Sequence, residues 1–169
     1  MLTETDIGIV VKKGNPRNVK TLADLAQANL KVGITNAEQS TLGFMIRGML
    51  RQTGLDAAVR KNVVVEVPTA DFLINQMRAG ALDAAVVYRV NAAPQSAHLD
   101  FFPIDHPGAK AVQPFSVRGD SPNKKLAERL LLFLKANRAS FEDAGFAWRG
   151  DEPSVPSSKI KVPDWLKEK

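Results

Sequence analysis

LKVGITNAEQSTLGFMIRGMLRQTG, residues 30–54, passes from a short apolar run into a helical pattern, with hydroxyl-bearing residues at the join. LKVGI (30–34) has the length and composition of a buried strand. From Ser40 to Thr53 the apolar residues Leu42, Met45, Ile46, Met49 and Leu50 recur at helical spacing, and Gly54 stands where a helix-ending glycine stands. Ser40 is placed to cap this helix, and Gly43 admits close approach of backbone. Two readings of the join are open. It is a cap only, or it is half of an anion site, because a helix N-terminus carries unpaired N–H groups and about half a positive charge.

The surrounding pattern supplies context. DIGIVVK (6–12) reads as a strand that ends at the turn Lys13-Gly14-Asn15-Pro16. Thr21 is an expected N-cap for Leu22-Ala23-Asp24-Leu25-Ala26, with Asp24 at the capping-box position. NVVVEV (62–67) is strand-like, and Pro68-Thr69 leads into ADFLINQMRAG, where Phe72, Leu73, Gln76 and Met77 share a helical face and Gly80 ends it. LDAAVVY (82–88) is another apolar strand. Residues 20–88 thus alternate helix and strand three times, as a parallel sheet covered by helices requires. LDFFPID (99–105) and AVQPFSVRG (111–119) read as strands joined by His106-Pro107-Gly108. Ser121 or Asp120 is the expected cap of a helix from Pro122 to about Ala136, and a last helix covers about 138–144 before Gly145. From Arg149 onward three prolines and no periodicity predict an extended arm. DIGIVVK and AVQPFSVRG flank the alternating unit and are the expected strands of entry and exit.

In the parallel arrangement Ser40-Thr41 and Thr69-Ala70 open on one sheet edge. Tyr88, the only tyrosine, ends the third strand on that edge. Two helix starts and a phenol converging there form a coherent oxyanion site. Competing chemistry has little support. Cysteine is absent, which excludes disulfides and thiolate chemistry. The net charge of +5 comes from scattered basic residues, and one Tyr with two Trp gives little base-stacking equipment, so no nucleic-acid partner is expected. His98, Asp100, Asp105 and His106 match no metal-ligand spacing, and no nucleophile motif or phosphate loop occurs. No cofactor and no catalysis are expected. No run of eighteen apolar residues occurs, and the N-terminus lacks the pattern of a secretory signal.

The ordered set of the KKGNP turn, the TLADL helix, the QSTLG join, GALDAA and VVYRVNA resembles the type 2 periplasmic solute-binding proteins, and within them the molybdate-binding branch of ABC transporters. GFAW (145–148) resembles that family's last helix ending, so the resemblance covers roughly residues 6–148. It implies a periplasmic-binding-protein-like α/β fold: one complete three-layer lobe (11–92), hinge strands and part of a second lobe (1–10 and 93–148), and a tail (149–169). It implies an oxyanion held by the Leu42 backbone N–H with Ser40 or Thr41, the Ala70 backbone N–H and the Tyr88 hydroxyl. It further implies a periplasmic location, a molybdate- or tungstate-like ligand and an ABC transporter permease as partner. The family's two N-terminal serine-bearing loops are not found in this sequence, which predicts a half-site. The apolar set Leu126, Leu130, Leu131, Phe133 and Leu134 is expected as core, or as core lacking its cover. The second case predicts dimerisation or exchange of segments between chains. The alternatives are the effector domain of a LysR-type regulator, which carries similar G-x-x-D stretches, and a non-binding lobe that works through protein contacts.

Overall fold

The computed structural model describes residues 1–154. Strand β1 (Thr3–Lys12) is followed by a 3-10 turn (Ala23–Ala26), β2 (Val32–Thr35), α1 (Thr41–Gln52), α2 (Asp56–Arg60) and β3 (Val63–Val67). Then come α3 (Ala70–Arg78), β4 (Ala84–Tyr88), α4 (Arg89–Ala92), β5 (Leu99–Pro103) and β6 (Lys110–Gln113), with α5 (Lys124–Ala136), α6 (Arg138–Asp143) and β7 (Ala147–Trp148) last. The expected helix at 22–26 is this 3-10 turn, yet its capping box forms. Thr21 N donates to Asp24 Oδ2 at 2.8 Å, and Asp24 N donates back to Thr21 Oγ1 at 3.3 Å.

The main sheet runs β3-β2-β4-β1-β5. β2 is parallel to both β3 and β4, whereas β1 is antiparallel to β4 and β5. From β2 the chain steps outward to β3, and from β3 it steps back across β2 to β4. Right-handed crossovers then place α1 and α3 on opposite faces. Packing agrees: a side chain at Gly33 of β2 would meet Leu73 of α3 at 2.8 Å, so that strand face belongs to α3. The buried residues Leu42, Ile46, Met49 and Leu50 of α1, and Leu73, Ile74 and Met77 of α3, close the two layers over β2 and β4. Phe72 is 55% exposed instead of sharing the buried face of α3. Gly54, Gly80 and Gly145 end their helices at positive φ, as the sequence predicts.

β1 is longer than DIGIVVK and belongs to two sheets. Ile7–Val11 pair with β4, while Thr3–Asp6 pair with β6 and Thr3–Glu4 also with β7. The change of partner falls between Asp6 and Ile7, so the expected break at residues 10/11 lies inside a continuous strand. The exit strand is also corrected. β5 joins β1 in the main sheet, and the expected strand 111–119 reduces to β6, because Pro114 lacks the N–H to extend a ladder. α5 starts at Lys124, and Asn123 precedes it without a side-chain cap. Ser121 Oγ instead accepts from Asn123 N at 3.2 Å, and Asp120 is taken by Arg118 at 2.7 Å.

The expected extended arm at Arg149 begins as a pinned turn. Arg149 N donates to Leu2 O at 2.9 Å, and its guanidinium pairs with Glu4 and Glu152. Trp148 anchors this turn, donating to Asp151 at 2.9 Å. Trp165, the second tryptophan expected to anchor the tail, lies outside the described residues. The apolar set on α5 is not core: no residue of that helix is buried, and Leu126 and Phe133 are 63% and 64% exposed.

Candidate functional site

In the main sheet β2 connects outward through α1 while β4 connects the other way, through α4 towards β5. The carboxyl ends of β2 and β4 therefore bound a topological switch point, the place where open α/β sheets offer a crevice to ligands. Gly33 pairs with Ala85, so continuing that register sets Thr35 level with Val87 and puts Tyr88 at the lip. Ile7 pairs with Tyr88, which puts the same lip beside the point where β1 changes sheets.

Three structural elements open on this edge. Ser40, in extended conformation, caps α1 and accepts weakly from Gly43 N at 3.5 Å. Thr41 opens the helix on the exposed side. Leu42 is 1% exposed, so its side chain belongs to the core and its backbone N–H is the group it brings to the helix start. Ala70 opens α3, whose N-cap residue Thr69 makes no side-chain hydrogen bond, and the first N–H groups of that helix therefore lack a side-chain cap. Tyr88 is half-buried, and burial pushes its phenol above the ordinary value near 10, so the hydroxyl stays a donor through neutral pH. All five sequence-derived residues follow or end the parallel strands β2, β3 and β4 on this edge: Ser40, Thr41 and Leu42 at the start of α1, Ala70 at the start of α3, and Tyr88 at the end of β4.

Gly43 explains how α1 reaches this edge. A Cβ at Gly43 would lie within 2.5 Å of the Asn36 carbonyl carbon and would collide with the Thr35 and Asn36 carbonyl oxygens. The first turn of α1 thus rests directly on the backbone that leaves β2. Asn36 shapes that backbone, its Oδ1 accepting from Glu38 N at 2.9 Å and Gln39 N at 3.2 Å.

Sequence reasoning missed four residues at this edge. Thr35 ends β2, is 1% exposed, and its buried hydroxyl has no partner among the described residues. Asn91 donates to Asp71 Oδ1 at 3.0 Å while its own buried Oδ1 is unpaired. Asp71 brings a carboxylate into the first turn of α3, where it answers part of the helix dipole. Arg89, next to Tyr88, pairs with Asp6 at 2.9 Å across the point where β1 changes sheets. A hydroxyl buried at a strand end and a charge pair between residues 83 apart leave no local sequence signal.

Away from this edge, His106 Nδ1 accepts from Gly108 N at 2.9 Å, and Asp100 is held by Lys13 at 2.8 Å and Gly14 N at 2.8 Å. Among the described residues no cluster of three His, Asp or Glu could hold a metal ion.

Residues 1–147 match the sequence model of the family described as bacterial extracellular solute-binding protein. The chain belongs to that family. Solved structures place this solute-binding chain among periplasmic-binding-protein-like folds. L-phospholactate-bound PEB3 is similar over 88% of the chain and 67% of its own length, with TM-score 0.69 and 19% identity. The periplasmic molybdate-binding protein of Azotobacter vinelandii gives TM-score 0.62 at 16% identity over 87% of the chain and 66% of its own length. The substrate-binding domain of a putative molybdenum ABC transporter from Clostridium difficile gives 0.62 at 15%, over 87% and 65%. The chain therefore spans about two thirds of these proteins, and at such identities the likeness concerns the fold. No curated protein sequence matches the chain.

Proposed function

We propose that this solute-binding chain holds a small tetrahedral oxyanion of the molybdate or tungstate kind against the carboxyl edge of β3, β2 and β4. The observation that carries the reading is the switch point flanked by the N-termini of α1 and α3, with Tyr88 as a protonated hydroxyl between the arms of the topology. The N–H groups of Leu42 and Ala70 and the hydroxyls of Tyr88 and of Ser40 or Thr41 supply the donors. Thr35 is a further hydroxyl at the same strand end. No lysine or arginine is needed for this, because oriented N–H dipoles answer the charge and leave the site able to release its anion. The printed ligands of two similar structures, phospholactate and molybdate, share a tetrahedral oxyanion, which supports the same class here.

Charge-assisted hydrogen bonds contribute about 1.5–3 kcal/mol each, and association costs at least about 4 kcal/mol. Three or four donors on one wall then leave affinity in roughly the millimolar range. A second wall closing from the other side would bring it to physiological tightness, with an ABC permease as the receiving partner and the periplasm as the setting. Calorimetric titration of the chain with molybdate, tungstate, sulfate and phosphate tests the reading. Weak saturable binding of tetrahedral oxyanions is expected, and absence of binding at tens of millimolar, on the order of ten times the expected dissociation constant, contradicts it.

The exposed Leu126, Leu130 and Phe133 stripe of α5 favours a second reading, in which the chain also makes contacts between copies through that face. Light scattering decides this: a monomer at all concentrations removes it.

A further inference from the structure

Beside Tyr88, on the far side of the β1 change of sheets, lies a cavity of about 260 Å³ lined by Glu4, Asp6, Arg89, Glu142, Phe146 and Ala147 among others. Among the described residues Arg89 is the one cation in that lining. It is fixed on two sides. Asp6 Oδ2 accepts from Arg89 Nε at 3.0 Å and pairs with Nη2 at 2.9 Å, and the guanidinium carbon stands 4.8 Å from the centre of the Phe101 ring. Phe101 in turn lies against β1 at Gly8, where any side chain would collide with the ring. Asp6 occupies only the side edge of the guanidinium. Among the described residues the end fork, Nη1 and the outer hydrogen of Nη2, has no partner, and the side chain is 42% exposed. The other carboxylates of the cavity are already answered: Glu4 by Lys110 at 2.8 Å and Arg149 at 2.9 Å, and Glu142 by Arg138 at 2.7 Å.

We propose that Arg89 is a second anion-recognition residue of the cleft, binding through its end fork the carboxylate of an organic ligand whose tetrahedral oxyanion sits at the α1 and α3 N-termini. This rests on the oxyanion reading above and narrows its ligand class to phosphorylated or similarly substituted small carboxylic acids. Three observations favour it over a bare inorganic anion. The cavity takes in Arg89, which follows Tyr88, and Asp6, which precedes the Ile7 paired with Tyr88, and it has the room of several water molecules, more than a four-oxygen anion needs. Its apolar part, Phe146 and Ala147 with Phe101 behind Arg89, suits a short carbon chain. The guanidinium is held in one orientation before any ligand arrives, so a planar carboxylate meets a preformed fork. Asp6 acts as a positioning residue.

The test is calorimetric titration of the full chain with L-phospholactate and with ethyl phosphate, which differ in the carboxylate, alongside inorganic phosphate and molybdate. Phospholactate is expected to bind at least about tenfold more tightly than ethyl phosphate, the worth of one charge-assisted pair. In Arg89→Met that ratio falls to about one, and in Arg89→Lys, which keeps the charge but not the fork, it falls most of the way. Asp6→Asn lowers the ratio while leaving Arg89 in place, and Arg60→Met, remote from the cavity, leaves it unchanged. Equal affinity of the two probes in the unmodified chain, or an undiminished ratio in Arg89→Met, overturns this inference alone. No binding of any of the four probes overturns it together with the oxyanion reading.

Discussion

Replacing Gly43 by alanine tests how α1 is set against β2. The added Cβ would lie within 2.5 Å of the Asn36 carbonyl carbon, against backbone that has no rotamer with which to retreat. Gly48, five residues on in the same helix, has nothing within 4 Å of its corresponding position. Alanine gains about 0.5–1 kcal/mol over glycine in a helix, so Gly48→Ala is expected to stabilise by about that amount. Gly43→Ala receives the same gain at most, less an overpacking cost of about 1–3 kcal/mol. The difference between the two variants isolates the steric term. In a chain of this size it corresponds to a gap of roughly 2–12 °C in melting temperature, with Gly43→Ala the lower. Urea unfolding followed by circular dichroism measures both, with unchanged m-values showing that only the folded state was affected. The same variant shifts the Thr41 and Leu42 N–H groups outward, so its oxyanion affinity falls while that of Gly48→Ala holds. A Gly43→Ala protein as stable as Gly48→Ala would refute the contact between α1 and the β2 exit.

Four further outcomes are expected. Tyr88→Phe removes one hydroxyl donor and weakens oxyanion binding by about tenfold, measured by calorimetry. Burial raises the Tyr88 pKa in the folded chain, so its contribution is complete below pH 10 and is lost as pH climbs through the folded value; Tyr88→Phe should therefore flatten the alkaline limb of a stability–pH curve. Asn62→Ala breaks hydrogen bonds to Leu25 O at 2.8 Å and Gln27 O at 2.6 Å and should cost about 1–3 kcal/mol in a urea titration. Leu126→Glu with Phe133→Glu should abolish any concentration-dependent association seen by light scattering while changing stability little, because both side chains are largely exposed.

The order of the strands with α1 and α3 from Val32 to Tyr88 was legible in sequence because each apolar run has the period of its element and both helices end at a glycine with positive φ, whereas the five-residue α2 has no such ending and was missed. The same periods put Ser40, Ala70 and Tyr88 at strand exits, which was enough to align them on one edge. What local pattern does not encode is pairing over distance. That β1 serves two sheets, that β5 returns beside it, and that β7 is a two-residue strand all depend on partners roughly 80 to 145 residues away. The role of Arg89 was missed for the same reason, since its partner Asp6 lies 83 residues away. α5 misled for a different reason. Its apolar face follows the rule for a covered helix, and the described chain provides no cover.

The central claim is that the carboxyl edge of β3, β2 and β4 receives the anion through its helix N-termini. Amide chemical shifts of the ¹⁵N-labelled chain during titration with molybdate test it most directly. Saturable shifts confined to residues 40–43, 69–72 and 88 are the expected result. Shifts gathered instead around the basic hollow of Lys12, Lys13, Arg78 and His98 at the opposite end of β1, or no shifts at any molybdate concentration, would contradict it.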